Sequence, residues 1–142
     1  MDFFQPYFIF IIPVLVFFAT QLLKFVIHGI KHEWDIAYVF AYGHMPSSHT
    51  ALVVSLMTAV GYYDGLATSV FAIAVCLATI VVSDAVRLRM YMGDQSRYLN
   101  MIVENLNLNK DKFPRLKERV GHRISEVAAG ALFGFILTLL LI

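Results

Sequence analysis

Uncharged stretches divide the chain into four hydrophobic segments joined by polar residues. Residues 3–23 and 65–83 contain no charged side chain, and each is long enough to cross a hydrocarbon core of about 30 Å at about 1.5 Å per residue. Two shorter hydrophobic segments begin near residues 48 and 124. We therefore predict a single membrane domain over residues 1–142. Its spanning helices are expected at about residues 4–27, 48–63, 66–86 and 122–142.

The first segment is interpreted as a membrane span rather than a secretory signal peptide. No basic residue precedes it, and no small-residue cleavage pattern stands before Lys24. Signal peptides carry both features, so we count this segment among the four spans.

The segment at residues 94–119 has a different periodicity. Its apolar residues recur at helical spacing, and its polar residues lie largely on the opposite side: the apolar set is Tyr98, Leu99, Ile102, Val103 and Leu106, and the polar set is Asp94, Arg97, Asn100, Glu104 and Asn107. This pattern predicts an amphipathic helix that lies along the membrane interface or packs on the bundle. Pro114 suits the first turn of a second short helix. The expected fold is an all-α membrane bundle of about four transmembrane helices with one or two short amphipathic cytoplasmic helices.

Composition strengthens the membrane assignment and excludes other classes. The 142 residues are 59% hydrophobic and 15% charged, compared with about 45–50% and about 25% in soluble domains. A net charge of +1 argues against a protein that binds nucleic acid. The single cysteine, Cys76, excludes a disulfide framework and a multi-cysteine metal site.

The charges are segregated along the chain, which predicts an orientation. With four spans, all 11 lysine and arginine residues fall on one side of the membrane. The other side has both termini and the loop at residues 62–68, with Asp2 and Asp64 as its charged residues. The positive-inside rule places the basic side in the cytoplasm and both termini outside. The expected location is a bacterial-type inner membrane.

Two segments with candidate chemistry lie on the basic side, each where a loop becomes a membrane helix. The sequence GHMPSSHT, residues 43–50, opens the second span, and its serines lie beside the N–H groups of a first helical turn. A helix N-terminus of this kind binds anions. The sequence GHRISE, residues 121–126, opens the fourth span, where His122 and Glu126 form an i, i+4 pair. The carboxylate can then orient the imidazole.

Ionisable residues near the ends of the first and third spans extend this candidate site. Asp84, Arg87 and Arg89 follow the third span, and Gln21 and Lys24 end the first. An arginine oriented by a carboxylate can bind phosphate through two N–H groups, so Arg87 with Asp84 is a candidate. Snorkelling of a charged side chain at a helix end is the alternative; it applies also to Lys24 and is preferred for Arg89.

Each of these features also has an ordinary structural interpretation. Serines before a helix are often caps, and a glutamate one turn after a histidine is often a solvated pair. Three of the five histidines are interpreted as polar boundary residues: His28, His32 and His44. The residues alone leave a phosphate site and a plain membrane boundary as open alternatives.

These motifs resemble a known superfamily. Pro46-Ser47-Ser48-His49 is similar to the PSGH element of type 2 phosphatidic acid phosphatases, a group related to vanadium-dependent haloperoxidases, and His122-x-x-x-Glu126 is similar to the end of their SRxxxxxHxxxD element. The chain as a whole looks like the short, divergent branch related to acid phosphatases and vanadium-dependent haloperoxidases. Four segments carry that resemblance: Gln21–Lys24, Met45–Ala51, Ser83–Arg87 and Gly121–His122. The KxxxxxxRP element and the SR pair are not present as written, and Arg87 is expected to supply a guanidinium.

The resemblance implies a phosphatase mechanism. His122 would be the nucleophile that forms a phosphohistidine, Glu126 the carboxylate that orients it, and His49 the general acid for the leaving oxygen. The implied phosphate-binding residues are Ser47, Ser48, Lys24 and Arg87, supported by Asp84 and Gln21. The implied substrate is a lipid-linked phosphate monoester or pyrophosphate in the bilayer, and phosphate or vanadate would bind the same site. No metal or other cofactor is implied.

Other functions compete with this hypothesis. A non-catalytic lipid-phosphate-binding or scaffold protein would keep the anion pocket without turnover. A small transporter subunit is disfavoured because no span centre carries a charged residue. Gly130-x-x-x-Gly134 permits close helix approach, either within the chain or in a homodimer.

Overall fold

The computed structural model describes residues 5–31, 45–109, 111–118 and 123–142. These residues form five α-helices and one π-helical turn: α1 Gln5–Lys31, α2 Ser48–Tyr63, α3 Ser69–Ser83, the π turn Asp84–Leu88, α4 Arg89–Asn105 and α5 Ile124–Leu141. The described residues are 81% helical and contain no strand. The predicted all-α membrane fold is therefore confirmed.

The hydrophobic segments of the sequence are all helical, but they differ in length. Within the described ranges, three helical segments are long and apolar enough to cross a membrane: Tyr7–Ile30, Ser69–Asn105 and Ile124–Leu141. α2 has the bounds expected for the second span, yet its 16 residues extend only about 24 Å at 1.5 Å per residue. That length is shorter than a hydrocarbon core of about 30 Å, so α2 is not among the three segments that are long enough to cross a membrane.

α2 occupies the centre of the bundle. It contacts α1, α3 and α5, and its buried residues are mostly small: Ser48, Thr50, Ala51, Val53, Ser55, Ala59 and Val60. α1 runs antiparallel to α2. Phe8 stacks on Tyr63 at one end with ring centroids 6.4 Å apart, and Gln21 accepts a hydrogen bond from Ser48 at the other. Small side chains allow three helices to approach α2 closely.

α2 and α5 run parallel in a constant register. The residue before α2 and two residues within it each lie opposite a residue of α5 that is 83 positions later: Ser47 and Gly130, Ala51 and Gly134, Ser55 and Thr138. A Cβ atom on Gly134 would lie 2.5 Å from the carbonyl oxygen of Ala51, a distance that real side chains do not reach. The Thr138 hydroxyl lies 2.6 Å from the Ser55 hydroxyl. The glycine motif is therefore used within the chain.

α3 packs on α2 through two small residues. Ala74 and Ala78 are its buried positions. Its first turn is capped by Thr68, whose hydroxyl accepts the Phe71 N–H at 3.2 Å. The turn before it contains Gly65 at φ +93, a conformation that glycine adopts without strain. Most of the α3 surface consequently faces away from the bundle.

The predicted third span and the predicted interfacial helix form one uninterrupted helix. α3, the π turn and α4 together cover 37 residues, from Ser69 to Asn105. The helix continues past the expected end of the third span near residue 86, because charged residues mark where a membrane span leaves lipid, not where its backbone hydrogen bonds stop. No proline interrupts this segment.

Residues 111–118 fold back along α4 without forming a helix. The Asn100 side chain accepts the Leu116 N–H at 2.9 Å and donates to the Leu116 carbonyl oxygen at 2.9 Å. Because both backbone groups of Leu116 bind a side chain, they are not used in helical bonds. The second short helix expected at Pro114 is not present in this segment.

Candidate functional site

Polar residues of three helices meet where α2 and α5 begin. The Ser47 backbone N–H donates to the carbonyl oxygen of Glu126 at 3.0 Å, which joins the two helix N-termini. α1 contributes Gln21, which contacts Ser48, and Lys24, which interacts electrostatically with Glu126. Residues expected from the sequence to share a site are therefore brought together from positions up to about 100 residues apart.

Ser47 is held so that its hydroxyl can serve as a donor. Its side chain is completely buried and accepts a hydrogen bond from the Thr50 hydroxyl at 3.0 Å. A hydroxyl has one hydrogen and two acceptor positions, so this bond leaves the Ser47 hydrogen for another acceptor. The Ser47 side chain accepts no bond from the backbone N–H groups of the first turn of α2. It therefore differs from a usual serine cap, whose oxygen binds that turn.

The Ser48 hydroxyl has the opposite arrangement. It donates to the Gln21 side-chain oxygen at 2.9 Å, so its hydrogen already has an acceptor within the protein. The group that Ser48 can offer to an anion is its backbone N–H in the first turn of α2. Gln21 is thereby assigned a positioning contact between α1 and the start of α2.

Lys24 and Glu126 are the buried charged residues of the site. Lys24 is 5% exposed and Glu126 is 6% exposed, and the two attract each other electrostatically. Glu126 Oε2 also accepts the backbone N–H of Arg123 at 3.2 Å, which caps the start of α5. Buried charges are retained in proteins when nearby groups compensate them; here Glu126 accepts the Arg123 N–H and its charge attracts that of Lys24.

The parallel packing of α2 and α5 shapes the local electrostatics. Each helix N-terminus carries roughly half a positive charge, and the Ser47–Glu126 backbone bond places two of them side by side. The Lys24 ammonium is buried beside them, while the Glu126 carboxylate offsets one charge. The balance of these groups favours an anion.

Of the two candidate histidines, the structure describes His49 but not His122. His49 lies in the first turn of α2, is exposed, and meets the Phe17 ring edge-on with centroids 6.1 Å apart. His122 lies outside the described residues, as do His32 and His44. The predicted contact between Glu126 and His122 stays a prediction, as does the catalytic role of each histidine.

Asp84 pairs with Arg89 and not with Arg87, the arginine that was expected to be its partner. Asp84 accepts a hydrogen bond from Arg89 Nε at 3.3 Å, whereas Arg87 is exposed. An α-helix brings residues three and four apart together, but the π turn places a residue opposite its i+5 neighbour. Asp84 therefore orients Arg89 rather than Arg87, and the π turn contacts α5.

Thr50 is a site residue that sequence reasoning missed. It is completely buried and fixes the Ser47 hydroxyl. Its sequence signal is its place three residues after Ser47, one helical turn along the same face. A hydroxyl residue at that spacing next to a candidate phosphate ligand is a useful indicator of a supporting contact.

Apolar helices around a buried polar cluster define an integral membrane protein with a candidate anion site at one end of its bundle. The chain belongs to the divergent PAP2 family, whose model matches residues 7–137. It is also similar to the uncharacterized membrane protein YuiD of Bacillus subtilis (strain 168), with 36% identity over an alignment that covers 86% of this chain and 85% of that protein. No solved structure matches the chain. The family relationship hints at a phosphatase-like membrane protein.

Proposed function

We propose that this protein is a membrane-embedded phosphatase that hydrolyses a lipid-linked phosphate monoester or pyrophosphate at the cytoplasmic face. The observation that carries the proposal is the Ser47 hydroxyl. It is buried, it accepts from Thr50 and keeps its own hydrogen to donate, and it stands at the joined starts of α2 and α5. Membership of the PAP2-related family supports a phosphate as the acceptor.

The proposed reaction has two steps. A ring nitrogen of His122 attacks phosphorus, an N–P bond forms, and the bond to the leaving oxygen breaks while His49 gives that oxygen a proton. Water then attacks the phosphohistidine while His49, now neutral, takes one of its protons. The N–P bond breaks, inorganic phosphate leaves, and both the His122 imidazole and the protonated His49 are restored. Ser47 O–H, the Ser48 N–H, Lys24 and Arg87 stabilise the charge on the phosphoryl oxygens through preorganised donors.

Phosphate release from lipid phosphates tests this proposal. The purified protein in detergent is compared with His122→Ala and His49→Ala, and with Cys76→Ser as a control, because Cys76 is exposed on α3 away from the site. We expect release by the parent and the control, loss in both histidine variants, and inhibition by vanadate. Absence of release from every substrate, or release that survives both histidine changes, would reject the phosphatase.

Acid-quenched and alkali-quenched samples test the covalent step. With radiolabelled substrate, a phosphohistidine keeps its label in alkali and loses it in acid. We expect such a label on the parent protein and none on His122→Ala. Tight binding of phosphate and vanadate without any turnover or label would instead support the non-catalytic lipid-phosphate-binding protein.

The cytoplasmic location of the site is a separate part of the proposal. It is supported by the segregation of all 11 basic residues onto one predicted side. Single cysteines at Asp64 and at Lys110, introduced with Cys76→Ser, are labelled in intact cells with a membrane-impermeant maleimide. We expect Asp64→Cys to react and Lys110→Cys to react only after lysis; the reverse pattern contradicts this orientation.

A further inference from the structure

α4 carries an uncovered apolar stripe along one side. The stripe consists of Leu88, at the end of the π turn, of Met92, Gln95, Leu99 and Ile102 within α4, and of Leu106, the residue that follows α4. Its five apolar side chains are between 49% and 65% exposed. The buried residues of α4 are Gly93 and Asn100, which lie on another side. The residues that the structure describes therefore leave this stripe uncovered.

The spacing of the α4 stripe is that of a coiled-coil seam. Its residue numbers increase by four, three, four, three and four, which is the alternation of the a and d positions of a heptad. Leu99 and Ile102 occupy adjacent seam positions, and Gln95 is the one polar residue of the stripe. The charged residues of α4 after its first turn, Asp94, Arg97 and Glu104, all lie off the stripe.

Helix length argues against a lipid surface as the cover of this stripe. The uninterrupted helix Ser69–Asn105 has 37 residues and is about 55 Å long at 1.5 Å per residue, whereas the hydrocarbon core is about 30 Å thick. Most of α4 therefore extends beyond the core. A helix lying flat in the interface would have to break from α3, and the backbone shows no such break.

The position of α3 and α4 in the bundle favours a second copy of this chain. α3 is peripheral and packs on α2 with two alanines, so this long helix is accessible from the side. Two copies in one membrane share an orientation, which places their α4 helices parallel and in register. The Gly130 and Gly134 motif is enclosed against α2 and is not available for such a contact.

We propose that this protein is a homodimer whose two α4 stripes form a parallel two-stranded coiled coil on the basic side of the membrane. The contact is isologous, because each stripe meets its own copy across a two-fold axis. Burial of both stripes removes the five apolar side chains of each stripe from water. This inference is independent of the proposed phosphatase activity and of the residues that would perform it.

Cysteine cross-linking in native membranes tests the dimer. In a Cys76→Ser background, Leu99→Cys and Ile102→Cys place single cysteines on the α4 stripe, and Arg97→Cys and Glu104→Cys place them on exposed positions away from it. We expect oxidation to give several-fold more cross-linked dimer at the two stripe positions than at the two controls. Equal cross-linking at all four positions indicates random collision and overturns the proposal.

Two further measurements separate the remaining outcomes. Stripe cysteines that are protected from an aqueous maleimide but do not cross-link would show lipid coverage and would also overturn the dimer. In detergent, we expect the parent to have the mass of two chains and Leu99→Glu the mass of one, with helical circular dichroism retained. A parent with the mass of one chain contradicts the proposal, whether or not phosphatase activity is found.

Discussion

The backbone N–H of Ser47 donates to the backbone carbonyl oxygen of Glu126 at 3.0 Å. This single bond joins the starts of α2 and α5, which are 79 positions apart in the chain by the numbers of the two residues. Both residues also belong to the candidate site through their side chains. The geometry of the site is therefore fixed by the same contact that aligns the two helices.

Gly130→Ala should destabilise the protein and distort the site together. A Cβ at this position would collide with the carbonyl oxygen of Ser47, which accepts the Ala51 N–H at 3.0 Å and so forms the first helical bond of α2. Because backbone atoms cannot move aside as a side chain does, we expect a loss of about 1–3 kcal/mol. Thermal unfolding in detergent measures it.

The matched control for this substitution is Ala128→Val. It adds apolar volume to the same helix at an exposed position, so we expect little change in unfolding temperature. Gly130→Ala could instead unfold at the same temperature as Ala128→Val and bind vanadate like the parent. In that case the close α2–α5 contact at Gly130 is needed neither for stability nor for the geometry of the site.

Neutralising one member of the Lys24–Glu126 pair should cost more than neutralising both. Lys24→Met or Glu126→Gln alone removes the attraction that offsets the burial of the other charge, and we expect each to cost about 1–3 kcal/mol. The double variant removes both charges, so we expect it to recover part of the unfolding temperature. Activity should not recover with it, since Lys24 is a proposed phosphate ligand; additive thermal losses would show that the two charges are not coupled.

Helix positions were largely predictable from the sequence because hydrophobic runs determine them. The second span was expected at residues 48–63 and α2 has these bounds, since Asp64 and Gly65 end the run on one side and Pro46 precedes it on the other. The extension of α3 into α4 was not predictable in this way. Loss of hydrophobicity after residue 83 marks the edge of lipid, and a helix continues in water when no proline or turn residue stops it.

The site was only partly predictable, because its contacts depend on tertiary register. Topology alone placed the starts of α2 and α5 on one face, and Ser47, Lys24 and Glu126 do meet there. The pairing of Asp84 with Arg89 requires a π turn, which local spacing does not reveal. Likewise, the glycine motif predicted a close helix contact, but the sequence could not show whether the neighbour was α2 or another chain.

Arg87 and Arg89 should respond differently to substitution. Arg87 is exposed, so Arg87→Ala should keep the unfolding temperature while it weakens phosphate or vanadate binding about tenfold, as expected for loss of about 1.5 kcal/mol from a charged hydrogen bond. Arg89→Ala breaks the ion pair with Asp84. Because this pair is partly exposed, we expect it to contribute less than about 1 kcal/mol to the free energy of unfolding. Vanadate inhibition and thermal unfolding measure the two effects. Unchanged vanadate inhibition in Arg87→Ala would remove Arg87 from the site.

The contact between α4 and residues 111–118 should weaken in acid. The hydrogen bond from the Asn100 side chain, aided by Arg115, holds the pKa of Glu118 below its usual value. Because the pKa is lower in the folded than in the unfolded protein, the stabilisation is complete above the unfolded value of about 4.3 and is lost as pH falls through the folded pKa. NMR signals of the Asn100 side-chain amide should therefore shift in that acidic range. Glu118→Gln should abolish the transition, and a transition that persists in this variant would have another origin.

The parallel arrangement of α2 and α5 has a thermodynamic consequence for the whole fold. Antiparallel helices attract through their macrodipoles, whereas two parallel helices bring like partial charges together at each end. An anion at the joined N-termini relieves that repulsion. Under the proposed function, ligand binding and folding share one electrostatic contribution, so we expect the concentration of phosphate around the protein to set how firmly its central helix pair is held together.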